Sequence, residues 1–229
     1  MTVLASLLLA DSRLPTGGHA HSGGVEAAVE RGLVRDESDL ALYLAGRLRG
    51  TGPVVAAVAA AGCVLAADNA PVDWSRWDAA VSARTLSAAM REASRAQGAA
   101  LLRTARRVWP FAALEALYHT GRPHHPLVLG AAVTAIGDGA EAAALLALHH
   151  LLGGACSAAV RLLGLDPIAV AAVQARASES AEKVALAATR VAREAVAQQD
   201  TRLLPSTGTP LPEVLAELHA RTEVTLFAS

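Results

Sequence analysis

The chain has 229 residues, 53% of them apolar and only 3% aromatic, with 20 basic residues set against 21 acidic ones. That length suits one large helical domain, and the apolar share exceeds what such a domain usually hides, so an oligomeric or partner interface is expected. A net charge of -1 leaves no basic field to gather along a nucleic-acid backbone or an anionic membrane, which argues against both as partners.

In chain order, Met1 to Ala10 is apolar, carries no Lys or Arg and runs straight into Asp11. It reads as a first packed helix rather than a secretory signal, and the chain is expected in the cytoplasm. Ser22 is a candidate N-cap, Glu26 and Glu30 follow at helical spacing, and Gly32 is a natural stop. Asp36 opens a helix running to about Gly50, where Gly50-Thr51-Gly52-Pro53 breaks it and starts the next.

Two long uncharged stretches, Gly50 to Ala67 and Ala142 to Val160, lack the cationic anchors of a membrane span. Their Ala and Gly content predicts buried helices that approach their neighbours closely. Between them, Arg84 to Val108 is amphipathic, with Leu86, Met90, Ala93, Leu101, Thr104 and Val108 on one stripe. Arg84, Arg91, Arg95, Arg103 and Arg106 take the other faces, as a solvated surface or an anion site.

Trp109-Pro110 ends that helix, and Gly121-Arg122-Pro123 turns the chain before His124-His125-Pro126 and a further helix. A long helix from Asp138 or Gly139 to Leu163 stops at Gly164, and Asp166-Pro167 caps another that reaches about Gln199. The proline-rich run Leu204 to Pro212 predicts a loop or linker, with a short helix from Glu213 to His219 and a tail beyond. The expected fold is all-α: one domain of roughly eight to ten helices over 1–204, then a linker, short helix and partner-binding tail over 205–229.

The most unusual local feature is Leu14-Pro15-Thr16-Gly17-Gly18-His19-Ala20-His21-Ser22-Gly23-Gly24-Val25-Glu26. Its glycines permit backbone geometry that a side chain forbids, and close approach by another backbone. Gly18 and Gly23 have phosphate-loop spacing, yet Gly24 and Val25 stand where Lys and Ser or Thr would be needed. His19 and His21 could begin a metal site from an extended loop, or be imidazoles bonded locally or facing a partner; no Asp, Glu or Cys stands near them in the loop.

The adjacent pairs His124-His125 and His149-His150 diverge by about 100° on a helix and cannot chelate together, so core or interface roles are expected. Cys63 and Cys156 have no paired spacing and read as small buried residues. No G-x-S-x-G elbow and no H-E-x-x-H is present, so no catalytic residue is assigned.

The glycine-rich run resembles the L-P-x-G-G-x-x-x-S-x-G-x-E signature of the UreF family of urease accessory proteins, with Gly32-Leu33-Val34 downstream as that family has. Arg91-Glu92-Ala93-Ser94-Arg95-Ala96-Gln97-Gly98 resembles its R-E-x-S-x-x-x-G helix, and His125-Pro126, Gly130, Ser157 to Leu162 and Gly164 follow in the family's order. The resemblance implies an all-α, usually dimeric, non-enzymatic adaptor. It joins the scaffold protein UreD, also called UreH, and the GTPase UreG to insert nickel into apo-urease, with no tightly bound cofactor of its own.

It also implies partner-binding positions at Pro15, Gly17, Gly18, His21, Ser22, Gly24, Glu26, Arg91, Arg95, His219, Leu226 and Phe227, with Glu26 on the GTPase-facing side. Family members tend to carry an aromatic where His19 stands, so nickel ligation by His19 and His21, the alternative function, draws no support from the resemblance. Thr225 and Ala228 replace arginines of the family's C-terminal tail.

Overall fold

Eleven α-helices and no strand are formed by the residues that the computed structural model describes, namely 3–11, 13–16, 22–68, 70–208 and 210–220. They are α1 (Val3–Ala10), α2 (Val25–Glu30), α3 (Glu37–Arg49), α4 (Thr51–Ala67), α5 (Trp74–Ser82), α6 (Ala88–Val108), α7 (Ala112–His119), α8 (His125–Ala135), α9 (Ala140–Leu163), α10 (Pro167–Ala197) and α11 (Pro210–His219). A short 3-10 turn spans Thr201–Leu203.

Helices α4 and α8 are apolar on nearly every side, which is the pattern of a helix enclosed by others. Every residue of α8 from Pro126 to Val133 is buried, and α4 packs against α8, α9 and α10 together. Small residues set how close they come. A Cβ on Gly62 would meet the Leu127 carbonyl oxygen at 2.7 Å, and one on Gly130 would meet that of Ala59 at 2.1 Å. The first uncharged stretch is thus a buried helix in close contact with α8, and its Gly52 also brings it against Leu148 of α9, the helix that carries the second stretch, as expected. Helix α9 is long and apolar enough to cross a membrane by length and composition, and 56% of its apolar window is buried inside the protein.

Local signals placed most helix ends. The Asp36 carboxylate accepts from the amides of Ser38 and Asp39 at the start of α3, and that of Asp166 accepts from Ile168 at the start of α10. Gly164, at φ +65°, closes α9. Ser22 is not the cap of α2: that position belongs to Gly24, at φ +88°, and no side chain caps the helix. Pro210 to Pro212 is not loop but the first turn of α11, where proline's missing amide costs nothing. The short α5 and α7 were not foreseen.

The register of α6 also differs from expectation. Gly98, Leu101, Leu102 and Ala105 are buried, whereas Leu86 precedes the helix and is 80% exposed, and Val108 is 46% exposed. The cause is Gly98, where a Cβ would lie 2.0 Å from the Pro123 carbonyl oxygen. The backbone entering α8 fits against the one position that has no side chain, so packing rather than residue size chose the buried face.

The arginines of this region form neither a solvated surface nor an anion site. Arg84 donates to the carbonyls of Ala80, Thr201, Leu204 and Pro205, joining α5 to the segment before α11. Arg91 donates to the carbonyls of Thr85 and Leu86, and Arg106 pairs with Glu115 while lying 3.7 Å over the Tyr118 ring. Only Arg103 keeps the exposed position foreseen for the group.

Candidate functional site

The glycine turn is held from below by α3. Tyr43 Oη donates to the Gly23 carbonyl at 2.7 Å, and Arg47 Nη1 donates to the same oxygen. Gly23 and Gly24 sit at φ +61° and +88°, left-handed values that favour glycine. A Cβ on Gly23 would meet Arg47 Nη1 at 2.7 Å, and one on Gly24 would meet Tyr43 Oη at 2.9 Å. The close approach that these two glycines permit is thus made by side chains of the same chain.

Glu26 and His219 come together one turn further on. His219 Nε2 lies 3.2 Å from Glu26 Oε2, with 3% and 5% of the two side chains exposed. Helix α11 therefore covers Glu26, and a partner can reach that carboxylate only if α11 moves aside. Two further carboxylates fix α11 against the start of α6. Glu213 accepts from the Ser87 amide, and Glu217 accepts from the Ser87 hydroxyl and the Ala89 amide. Anions at a helix N-terminus are well placed, because the first amides there lack intrahelical acceptors.

The outer side of α11 is apolar. Leu211, Val214 and Leu218 are 52%, 54% and 38% exposed and follow helical spacing along one stripe. Leu4, Leu7 and Leu8 of α1 add a second exposed apolar group.

Of the other positions singled out in sequence, Pro15 is exposed, and its carbonyl accepts from Thr104 on α6. Ser22 is fully buried, and its hydroxyl has no hydrogen-bond partner among the described residues. Arg95 bridges Asp78, the Ser82 hydroxyl and the Arg122 carbonyl. Gly17, Gly18, His19, His21, Leu226 and Phe227 lie outside the described residues.

His124 is a core histidine. Its ring nitrogens lie 2.9 Å from the Ser82 hydroxyl and 3.0 Å from that of Ser94, and its amide donates to Asp78. Burial pushes it down to about 4, with the Asp78 carboxylate opposing that shift and Arg95 and Arg91 adding to it. His150 donates through Nε2 to the Leu9 carbonyl and is likewise lowered by burial to about 4. Cys63 and Cys156 are buried free thiols, and burial raises Cys156 to about 11.

A cavity of about 440 Å³ lies beneath the turn, lined by Gly23, Gly24 and Arg47 on one side and by parts of α4, α6, α9 and α11 on the others. His125, His149 and His150 also line it, with the His150 ring centroid 5.5 Å from that of His125 and 5.9 Å from that of His149. Among the described residues, no group of three His, Cys, Asp or Glu side chains is arranged to hold a metal ion.

Sequence reasoning passed over Tyr43 and Arg47. The available signal was a basic residue on a buried stripe: Leu40, Leu44, Arg47 and Leu48 share one face of α3.

The UreF family model matches residues 34–178, beginning after the glycine-rich run. Matches to full-length relatives span the stretch before residue 34 as well. A urease accessory protein UreF of Mycolicibacterium vanbaalenii is 45% identical over 233 residues, and one of Mycobacterium marinum is 43% identical over 230. One of Mycobacterium tuberculosis is 40% identical over 232 residues, and in all three cases the whole of both chains is covered. With a family model over more than half its length and relatives at this identity along all of it, the chain belongs to the UreF family.

Proposed function

We propose that this chain is a urease accessory protein that acts in the cytoplasm by protein contact and not by catalysis. It joins the scaffold protein UreD (UreH) and the GTPase UreG, as a homodimer, so that nickel passes into apo-urease. The observation that carries the reading is similarity to named urease accessory proteins along the full chain at 40% to 45% identity.

The geometry supports a contact-making role. Helix α11 presents one face to the body through Glu26, Ser87 and their partners, and the opposite face, Leu211, Val214 and Leu218, to the outside. The fully buried centre of a protein interface is more apolar than the rest of the surface, which a stripe of this kind suits. In the proposal, Leu226 and Phe227 extend that face, while Pro15 and the glycine run with Gly17, Gly18 and His21 form a second contact. Arg91, Arg95, Ser22 and Gly24 shape these surfaces from within.

The test is urease activity in cells lacking this chain. The deletion is expected to abolish activation in nickel-sufficient medium, and the wild-type chain to restore it. Full urease activity in the deletion overturns the proposal. Recovery of the scaffold protein on a tagged chain ending at Leu204 examines the contact surface. Undiminished recovery removes α11 and the tail from it.

A further inference from the structure

We propose that the cavity under the glycine turn is a carboxylate-binding site built on Arg47. This goes beyond the accessory reading and does not rest on it.

Arg47 is 5% exposed, on the same face of α3 as Leu40, Leu44 and Leu48. Its guanidinium makes one hydrogen bond, from Nη1 to the Gly23 carbonyl, which Tyr43 already supplies with a donor. Nε has no acceptor, and no described carboxylate pairs with the group. The other arginines near the core are treated differently. Arg84 has four carbonyls, Arg95 has Asp78 and Arg106 has Glu115. Arginine stays charged at any physiological pH, and a buried charge without a counter-charge is strongly unfavourable. A bound anion resolves that imbalance.

The cavity that Arg47 lines has the size of a small-ligand site. Among the described residues its remaining charged side chains are committed: Asp11 to Arg13, Arg84 to carbonyls, and Glu213 to the Ser87 amide. Val54, Val55, Met90 and Leu151 supply apolar wall. One free fork in such walls fits a monoanion better than a phosphate dianion, and its planar geometry matches a carboxylate. The ligand is therefore a carboxylate on an apolar body, either a small organic acid or an acidic group of a polypeptide.

The experiment titrates the full chain with hexanoate and with hexanamide, by calorimetry or ligand-observed NMR near neutral pH. Saturable hexanoate binding is expected, with hexanamide weaker by about tenfold or more. Arg47→Met, which keeps the Tyr43 bond to Gly23, is expected to weaken hexanoate about as much. N-acetyl-leucyl-leucine and its amide distinguish the source. Tighter binding of the peptide acid than of hexanoate assigns the site to polypeptide, and the reverse order assigns it to small acids. Equal binding of acid and amide, unchanged hexanoate binding by the variant, or no saturation by either acid overturns the proposal. Should Arg47→Met fail to fold, the wild-type melting temperature is expected to rise with hexanoate and not with hexanamide. Equal response to the two overturns the site.

Discussion

Replacing Gly130 with alanine is expected to destabilise the protein, although alanine is the better helix former. The new Cβ would lie 2.1 Å from the Ala59 carbonyl oxygen and 2.6 Å from the Cys63 amide nitrogen. Both are backbone atoms, so no rotamer change relieves the clash, and α4 and α8 must part by roughly 1 Å to restore ordinary contact. Overpacking of this kind costs about 1–3 kcal/mol, and displacement of two central helices belongs at the upper end. Helix propensity returns about 1 kcal/mol, leaving a net loss of about 2 kcal/mol. For a chain of this size that lowers the melting temperature by about 4–8 °C. Gly46→Ala is the control, because a Cβ there meets nothing within 4 Å and only the propensity gain remains. Urea denaturation followed by circular dichroism, with calorimetric melting, reads both variants. Gly130→Ala as stable as wild type, or the two variants shifting in the same direction, refutes the packing argument.

His124 should make stability depend on pH. Its folded value lies near 4 against an ordinary 6.5, so the unfolded chain takes up a proton that the folded one refuses. Stability is then full above about pH 6.5 and falls as the pH drops towards 4, by about 3 kcal/mol at most from this group; urea midpoints across that range should show a flatter slope in His124→Asn. Arg84→Met should cost about 2–3 kcal/mol by leaving the part-buried Leu204 and Pro205 carbonyls without the guanidinium donor, measured by the same unfolding curves, with Arg84→Lys recovering little because it cannot span four acceptors. Glu26→Ala should loosen α11 by removing the buried carboxylate that His219 Nε2 meets at 3.2 Å, at a cost of about 1–3 kcal/mol for a lost buried hydrogen bond, and limited proteolysis should then cut between 205 and 220 faster than in wild type. An unchanged cleavage rate would show that the pair does not hold the helix.

What the chain settles locally was legible. Asp36, Gly50, Gly164 and Asp166-Pro167 mark helix ends through bonds to residues within four positions, so their neighbours in sequence are sufficient to read them. The Ala and Gly content of α4 and α9 likewise announced close packing, and the glycine run with its later landmarks carried the family. Helices α5 and α7 escaped because nine and eight residues are too few to establish a periodic pattern.

Other features were decided only when distant elements met. A guanidinium on a helix surface looks alike in sequence whether it ends in water or on a carbonyl, and only the arrival of residues 201–205 gave Arg84 three of its four acceptors. Glu26 reads as an exposed, partner-facing acid until α11 returns to cover it with His219. Caps and periodicity are short-range and therefore written into neighbouring residues, whereas burial of a charge depends on which remote surface closes over it.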